Sequence, residues 1–175
     1  MQMIKSFVKK AISVPERHLR GQRARRLAAE LVSHDAERVR AIGAALEDTL
    51  RGALSPEEWE WTSRIERRRA YLLDCADDLE VVDYGAGSPD AGRTAEEMDR
   101  GVRSRSTVAK VAAVSKPAFW ATFLFKLVRN LRPDSCVELG TCVGISAAYQ
   151  AAALRLNGKG SLTTLEGSPA IAQVA

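Results

Sequence analysis

The first 78 residues carry apolar side chains at helical spacing. Over residues 16–50 the apolar positions recur every three or four residues, which predicts a helical segment. A second helix is predicted over residues 55–76, because Ser55 can cap its start, a proline fills the first helical position and Glu58 completes a capping box. We predict that the two segments form a helical hairpin and that residues 1–78 are a helical N-terminal region.

Residues 1–14 form a shorter pattern, in which apolar and lysine side chains fall on opposite sides of a predicted helix. Such a helix could lie on an anionic membrane surface or in the groove of a partner protein. An apolar stripe this short more often packs on its own protein, so membrane contact is the less favoured interpretation. The apolar positions are Met3, Ile4, Phe7, Val8, Ala11 and Ile12.

Strand and turn signals follow the helical region. Residues 80–84 predict a short strand, and the glycine-rich residues 85–92 predict a loop. Thr94 and Glu97 form a second predicted capping box, so a short helix should come next. The loop lacks the Lys-Ser/Thr ending of a P-loop, so we interpret it as an ordered loop near the active face. Residues 79–114 are therefore predicted to be a connector.

The last third of the chain alternates between helix and strand. The pattern predicts a helix over residues 115–131, a buried strand at 137–139, a helix over 145–156 and a second strand at 161–166. This βαβ unit predicts an α/β fold, with residues 115–175 as the start of a Rossmann-like sheet. Two strands leave open sheet edges, so we expect an incomplete sheet and the N-terminal part of a longer enzyme.

The composition is that of an ordinary globular protein, with 46% hydrophobic and 27% charged residues among 175. No apolar run approaches the roughly 20 residues that cross a bilayer, and no secretory signal is evident, so we expect a cytoplasmic protein. The three cysteines lack CxxC or other metal-ligand spacing. This favours reduced thiols and no metal site.

The charge is unevenly distributed. Residues 1–26 hold eight Lys/Arg and one acidic residue (+7), whereas the other 18 basic and 21 acidic residues give −3. An arginine array can neutralise nucleic-acid phosphates, but this one has no interleaved aromatic side chains and no recognisable recognition module. We therefore expect a solvated helix face and no nucleic-acid partner. His18 and His34 lack a nearby nucleophile or second ligand and are interpreted as surface or structural residues.

The glycine turn inside the βαβ unit is the candidate binding corner. Gly140 and Gly144 let the backbone approach a ligand closely. Glu166 ends the second strand 22 residues after Gly144, a position from which a carboxylate can accept hydrogen bonds from both hydroxyls of an adenosine ribose. Cys142 and Ile145 occupy the second and third glycine positions of G-x-G-x-x-G, so an NAD-type oxidoreductase is less favoured.

The segment Glu138–Ser146 resembles the first cofactor motif of class I S-adenosylmethionine-dependent methyltransferases, closest to O-methyltransferases related to catechol O-methyltransferase. Residues 162–166 resemble the second motif, and residues 115–131 resemble the helix before the first strand. The resemblance covers about residues 107–175; Cys142 departs from the glycine commoner in the wider superfamily. The resemblance implies that S-adenosyl-L-methionine is the cofactor and that the methyl group is transferred to an oxygen of a small molecule.

The resemblance also implies residue roles. Glu138 would meet the methionine ammonium directly or through water, and Glu166 would bind the ribose hydroxyls. Gly140 and Gly144 would shape the loop beneath the cofactor, and Ser146 would cap or contact the cofactor carboxylate. The other candidate cofactor-binding residues are Thr141 within the motif and, at the methionine end, Ser115 and Lys116.

No residue of this chain qualifies as a catalytic base, so the sequence predicts the donor site and leaves the acceptor open. Two alternatives to a methyltransferase remain. The chain could be a non-catalytic module whose helical N-terminus docks on a partner protein or a second copy, or a fragment without activity. A nucleic-acid binder is less favoured.

Overall fold

The computed structural model describes residues 21–85 and 92–175. The predicted helix of residues 1–14, His18 and the middle of the glycine-rich loop lie outside the described residues. The chain divides between Ala53 and Leu54 into two compact units, whereas the sequence placed its first boundary after residue 78. None of the helices in the described part is both long enough and apolar enough to span a bilayer.

The first unit contains two helices where the sequence predicted one continuous segment. Helix α1 is described over residues 21–32, and α2 spans Glu37–Arg51. Between them, Ser33 Oγ donates to two main-chain carbonyl oxygens of the preceding turn, and His34 Nδ1 accepts from the N–H of Ala36. Local side-chain bonds of this kind compete with the helical ladder, which explains the break.

Helices α1 and α2 approach closely at Gly43. A Cβ atom built at Gly43 would lie 2.6 Å from the main-chain nitrogen of Val32 and 2.8 Å from Leu31. Glycine is needed here for space, although a glycine within a helix costs about 1 kcal/mol relative to alanine.

The second unit is a mixed α/β structure with two small sheets. Its predicted βαβ unit, and the helices begun by Ser55 and Thr94, are confirmed. The elements are α3 (Pro56–Leu73), β1 (Asp78–Asp83), α4 (Ala95–Arg100), β2 (Val102–Thr107), α5 (Val108–Ala112), α6 (Ala118–Leu131), β3 (Ser135–Leu139), α7 (Ile145–Asn157), β4 (Ser161–Leu165) and α8 (Pro169–Val174).

The two sheets differ in strand direction. Strands β1 and β2 form an antiparallel pair in which Asp78 faces Thr107. Strands β3 and β4 are parallel, with Ser135 beside Ser161 at one end and Leu139 beside Leu165 at the other. Because α7 connects parallel strands, both strands end at the same edge of the sheet.

The core lies between α3, α6, α7 and one face of the parallel sheet. Phe125 and Tyr149 are fully buried and meet edge to face, with ring centroids 6.4 Å apart. Cys136 and Leu162 pack against this core from the sheet. The opposite face of the sheet is open, since Leu139 at its end is 80% exposed.

Glu58 joins α3 to α6 through a buried ion pair. Its carboxylate accepts from Lys126 Nζ at 2.6 Å and from Arg129 Nε at 3.2 Å. The same side chain accepts from the N–H of Ser55 at 2.9 Å, which completes the predicted capping box. The residue predicted only as a helix-start signal is therefore also the centre of a buried charge cluster.

Candidate functional site

The glycine turn after β3 adopts left-handed backbone at three positions. The φ angles are 88° at Gly140, 52° at Cys142 and 79° at Gly144. Only glycine adopts this region without steric cost, so Cys142 is strained by about 1–2 kcal/mol. The N–H groups of Gly140 and Thr141 donate to the carbonyl oxygen of Leu165 at 2.8 and 3.1 Å. The turn is therefore bonded directly to the end of β4.

Gly144 caps the start of α7 by its backbone alone. No side chain makes a capping bond there, and a Cβ atom at Gly144 would lie 3.2 Å from Cβ of Ala175 at the end of α8. Both the positive φ angle and this close approach explain a glycine at the position.

Glu166 links the glycine turn to the segment that begins α8. Its Oε2 accepts from the N–H of Cys142 at 2.8 Å, and its Oε1 accepts from the N–H of Ser168 at 3.0 Å. A carboxylate has about four acceptor positions, so each oxygen can accept one further hydrogen bond. The side chain is thus held in place and can still receive two more donors.

Glu138 is held on the helix-facing side of the sheet. Its Oε1 accepts from Gln150 Nε2 at 2.9 Å, and its Oε2 accepts from Thr164 Oγ1 at 2.8 Å. The hydroxyl of Thr141 lies 2.6 Å from that of Thr164 and extends the same network. Glu138 therefore ties β3, β4 and α7 together.

A cavity of about 560 Å³ lies beside the turn. Gly140, Cys142 and Glu166 form one part of its lining, and the β1–β2 hairpin contributes residues such as Val81 and Tyr84. Its size and mixed apolar and polar lining are typical of small-molecule sites. Glu138 is not among the lining residues, so the structure brings Glu166 and Gly140 together in the cavity without Glu138.

Ser168 connects this corner to the hairpin. It is 1% exposed, and its Oγ accepts from the N–H of Val82 at 3.2 Å while its own N–H bonds Glu166. A serine followed by proline is a common helix start, with the serine as cap and the proline at the first helical position. Helix α8 does begin at Pro169, but the Ser168 side chain makes no capping bond because it is engaged by β1.

Five other predicted site residues lie outside the cavity lining, namely Thr141, Gly144, Ser115, Lys116 and Ser146. Ser115 Oγ is buried with no hydrogen-bond partner in the part of the chain that the structure describes. The carbonyl oxygen of Lys116 accepts from Arg69 NH1 at 2.8 Å, and that of Ser146 accepts from Gln150 Nε2 at 3.4 Å. The contacts of Lys116 and Ser146 therefore support the fold around the turn.

Cys142 is a poor nucleophile despite its place in the cavity. Its Sγ donates to the carbonyl oxygen of Val111 at 3.5 Å, and burial raises the pKa of the thiol above its ordinary value. A thiol with a raised pKa stays protonated near neutral pH. All three cysteines of the chain are free thiols, Cys75 and Cys136 included.

The hairpin side of the cavity contains residues that the sequence did not single out. Ser104, Ser106 and Lys110 line the cavity together with the corner. Ser104 and Ser106 lie in β2, and Lys110 lies in α5, which follows it. The sequence of β2 lacks the apolar alternation that would have predicted a strand.

No protein-family model matches the chain, and comparisons with curated proteins and with solved structures found no match either. The geometry of the corner and its cavity is therefore the basis on which a function can be argued.

Proposed function

We propose that this chain carries the cofactor-binding start of an S-adenosylmethionine-dependent methyltransferase with a Rossmann-like fold, which transfers methyl groups to an oxygen of a small molecule. One observation carries the proposal. Glu166, at the carboxyl end of β4, lines the same cavity as Gly140 in the turn that follows β3. In α/β sheets, ligands bind beyond the carboxyl ends of the strands.

The adenosine half of the cofactor fits the groups around Glu166. The main-chain N–H groups of Cys142 and Ser168 fix the carboxylate, and its remaining acceptor positions suit two neighbouring ribose hydroxyls. A Cβ atom at Gly140 would meet no protein atom within 4 Å, so the glycine leaves open space on the cavity side of the turn.

In the proposal, Glu138 does not contact the methionine half of the cofactor directly, unlike the role that the resemblance implies. Both oxygens of Glu138 already accept hydrogen bonds from Gln150 and Thr164, and the residue is absent from the cavity lining. In the proposal Glu138 is a positioning residue, because it holds the ends of β3 and β4 in the geometry that presents the turn and Glu166 to the ligand.

When bound, S-adenosylmethionine would supply a methyl group on a sulfonium: the C–O bond to an acceptor oxygen would form in line as the C–S bond breaks, and S-adenosylhomocysteine would leave as the neutral thioether. The contribution of this chain is alignment. Glu166 would hold the ribose, the glycine turn would admit the ligand, and apolar side chains such as Val81 and Leu139 would contact it. The chain's described residues supply no group that we assign as the base for the acceptor proton.

A thermodynamic cycle tests the ribose assignment. Calorimetry would measure binding of adenosine and of 2′,3′-dideoxyadenosine to the wild-type chain and to Glu166→Gln. The wild type should prefer adenosine by roughly 10- to 100-fold, because two hydrogen bonds to a charged acceptor are lost with the hydroxyls. Glu166→Gln should lose most of that preference.

A matched control is Glu80→Gln, because Glu80 is an exposed acid of β1 paired with Arg103 outside the cavity lining. This variant should keep the wild-type preference for adenosine. Equal affinity of the wild type for the two nucleosides, or an unchanged preference in Glu166→Gln, would refute the assignment.

A further inference from the structure

The hairpin side of the cavity carries a cation that has no partner among the described residues. Lys110 is the one lysine or arginine among the described residues that line the cavity. Within residues 21–85 and 92–175 its ammonium makes no hydrogen bond or ion pair. An unpaired cation in a cavity attracts an anionic ligand group.

Two hydroxyl groups also line this cavity. Ser104 and Ser106 are alternate residues of β2, so their side chains emerge on one face of the strand, and both line the cavity. Neither hydroxyl has a side-chain hydrogen bond within the described parts of the chain. Helix α5 begins directly after β2, and the Lys110 N–H bonds Thr107 Oγ1 at 3.3 Å, which keeps the lysine next to this strand.

The acids of the cavity do not neutralise Lys110. Asp83 pairs with Arg93 at 2.8 Å and also accepts from the N–H of Gly85 at 2.7 Å. Glu166 is directed to the N–H groups of Cys142 and Ser168. The positive charge of Lys110 is therefore available on the hairpin side.

We infer that Lys110, Ser104 and Ser106 form a carboxylate-binding subsite of this cavity. The inference rests on the proposed function, because a ligand held at Glu166 by its ribose would extend from the turn toward the hairpin. One lysine and two hydroxyls suit a singly charged carboxylate, which accepts from the ammonium and from both O–H groups. The carboxylate belongs either to the amino-acid end of the cofactor or to an acidic methyl acceptor.

Two pairs of probes separate these sources. S-adenosylhomocysteine carries the amino-acid carboxylate, and 5′-methylthioadenosine is the related nucleoside that lacks it. Benzoate and neutral benzamide, added with saturating S-adenosylhomocysteine, probe an acidic acceptor.

Calorimetry would compare the wild type with Lys110→Met and Lys110→Arg. Lys159→Met is the control, since Lys159 pairs with Asp134 outside this cavity.

If the cofactor supplies the carboxylate, Lys110→Met should bind S-adenosylhomocysteine roughly tenfold or more weakly and 5′-methylthioadenosine unchanged. If the acceptor supplies it, both nucleosides should bind unchanged and the preference for benzoate over benzamide should disappear. Lys110→Arg keeps the positive charge and should show only part of each loss of binding. Lys159→Met should match the wild type.

The failures of the two proposals are distinguishable. Unchanged affinity of Lys110→Met for every probe, with nucleosides still bound, would overturn the subsite and leave the proposed function standing. A wild-type chain that binds neither nucleoside overturns the proposed function. Benzoate binding that depends on Lys110 would then still support the subsite, and its absence would overturn the subsite as well.

Discussion

Two acidic side chains of the second unit, Glu58 and Glu166, are both fixed by hydrogen bonds but have different surroundings. Glu58 lies between α3 and α6, where two cations, Lys126 and Arg129, contact its carboxylate. Among the described residues, Glu166 accepts only from neutral main-chain N–H groups, and it borders a cavity. A carboxylate enclosed by cations stabilises packing, whereas one that faces a cavity with spare acceptor positions can receive a ligand.

The largest effect should come from breaking the buried pair at Glu58. Glu58→Ala leaves Lys126 buried without its carboxylate partner, which should lower the free energy of unfolding by about 3–5 kcal/mol. Denaturant unfolding of Glu58→Ala and of the wild type at neutral pH measures this difference in the free energy of unfolding. In the double variant Glu58→Leu with Lys126→Met, both charges are gone and much of the loss should be recovered. A single variant that unfolds at the wild-type midpoint would contradict this account of the α3–α6 interface.

A smaller effect is expected at Thr164, next to the corner. Thr164→Val removes the hydroxyl that donates to Glu138, so one oxygen of a partly buried carboxylate loses its donor. The free energy of unfolding should fall by about 1–3 kcal/mol. Thr163→Val is the matched control, because the neighbouring side chain lies on the exposed face of β4.

Thr164→Val should also weaken binding of S-adenosylhomocysteine, because Thr164 joins Glu138 to Thr141 of the glycine turn, whereas Thr163→Val should bind like the wild type. Wild-type affinity in Thr164→Val would contradict the positioning role of Glu138. Equal stability of the two variants would instead argue against the Thr164–Glu138 bond.

The smallest effect is a pH dependence of stability that comes from Glu58. Burial raises the pKa of Glu58, but hydrogen bonds from Lys126, the Ser55 N–H and Arg129 more than offset this, and the pKa lies below its ordinary value of 4.5. Its stabilisation is therefore complete above about pH 4.5, near the value in the unfolded chain, and is lost as pH falls through the lower folded value.

Denaturant midpoints between pH 7 and pH 3 measure this dependence. The wild type should lose more stability over that interval than Glu58→Gln, which cannot titrate at this position. Parallel curves for the two proteins would contradict the lowered pKa.

Local signals in the sequence were sufficient to predict much of the fold. Ser55 with Glu58 marked the start of α3, and the glycine turn with its flanking apolar runs marked β3, α7 and β4. These elements are determined by caps, turns and apolar periodicity within a few residues. The break at residues 33–36 was missed, because it depends on side-chain bonds that periodicity does not register.

The hairpin side of the cavity could not be predicted in the same way. Strand β2 has the sequence Val-Arg-Ser-Arg-Ser-Thr, with no apolar alternation, and its strand conformation depends on pairing with β1. Lys110, Ser104 and Ser106 therefore had no signal as site residues. For Glu138 the structure supplies the reason. Successive residues of a strand face opposite sides, so Glu138 cannot share the face of Leu139, which lines the cavity.

The most direct test of the central claim, that the cavity beside the glycine turn receives the cofactor, compares Gly140→Ala with Gly158→Ala. Both glycines have positive φ angles, 88° and 69°, and a Cβ atom at either position meets no protein atom within 4 Å. Backbone strain should therefore be similar, at about 1 kcal/mol in each. Only Gly140 lines the cavity with Glu166.

Calorimetric titration with S-adenosylhomocysteine would be run on the wild type and both variants. We expect the wild type and Gly158→Ala to bind with similar affinity, and Gly140→Ala to lose binding, because its methyl group enters the space that the ligand needs. A wild-type chain that does not bind S-adenosylhomocysteine, or a Gly140→Ala variant that binds as tightly as Gly158→Ala, would contradict the claim.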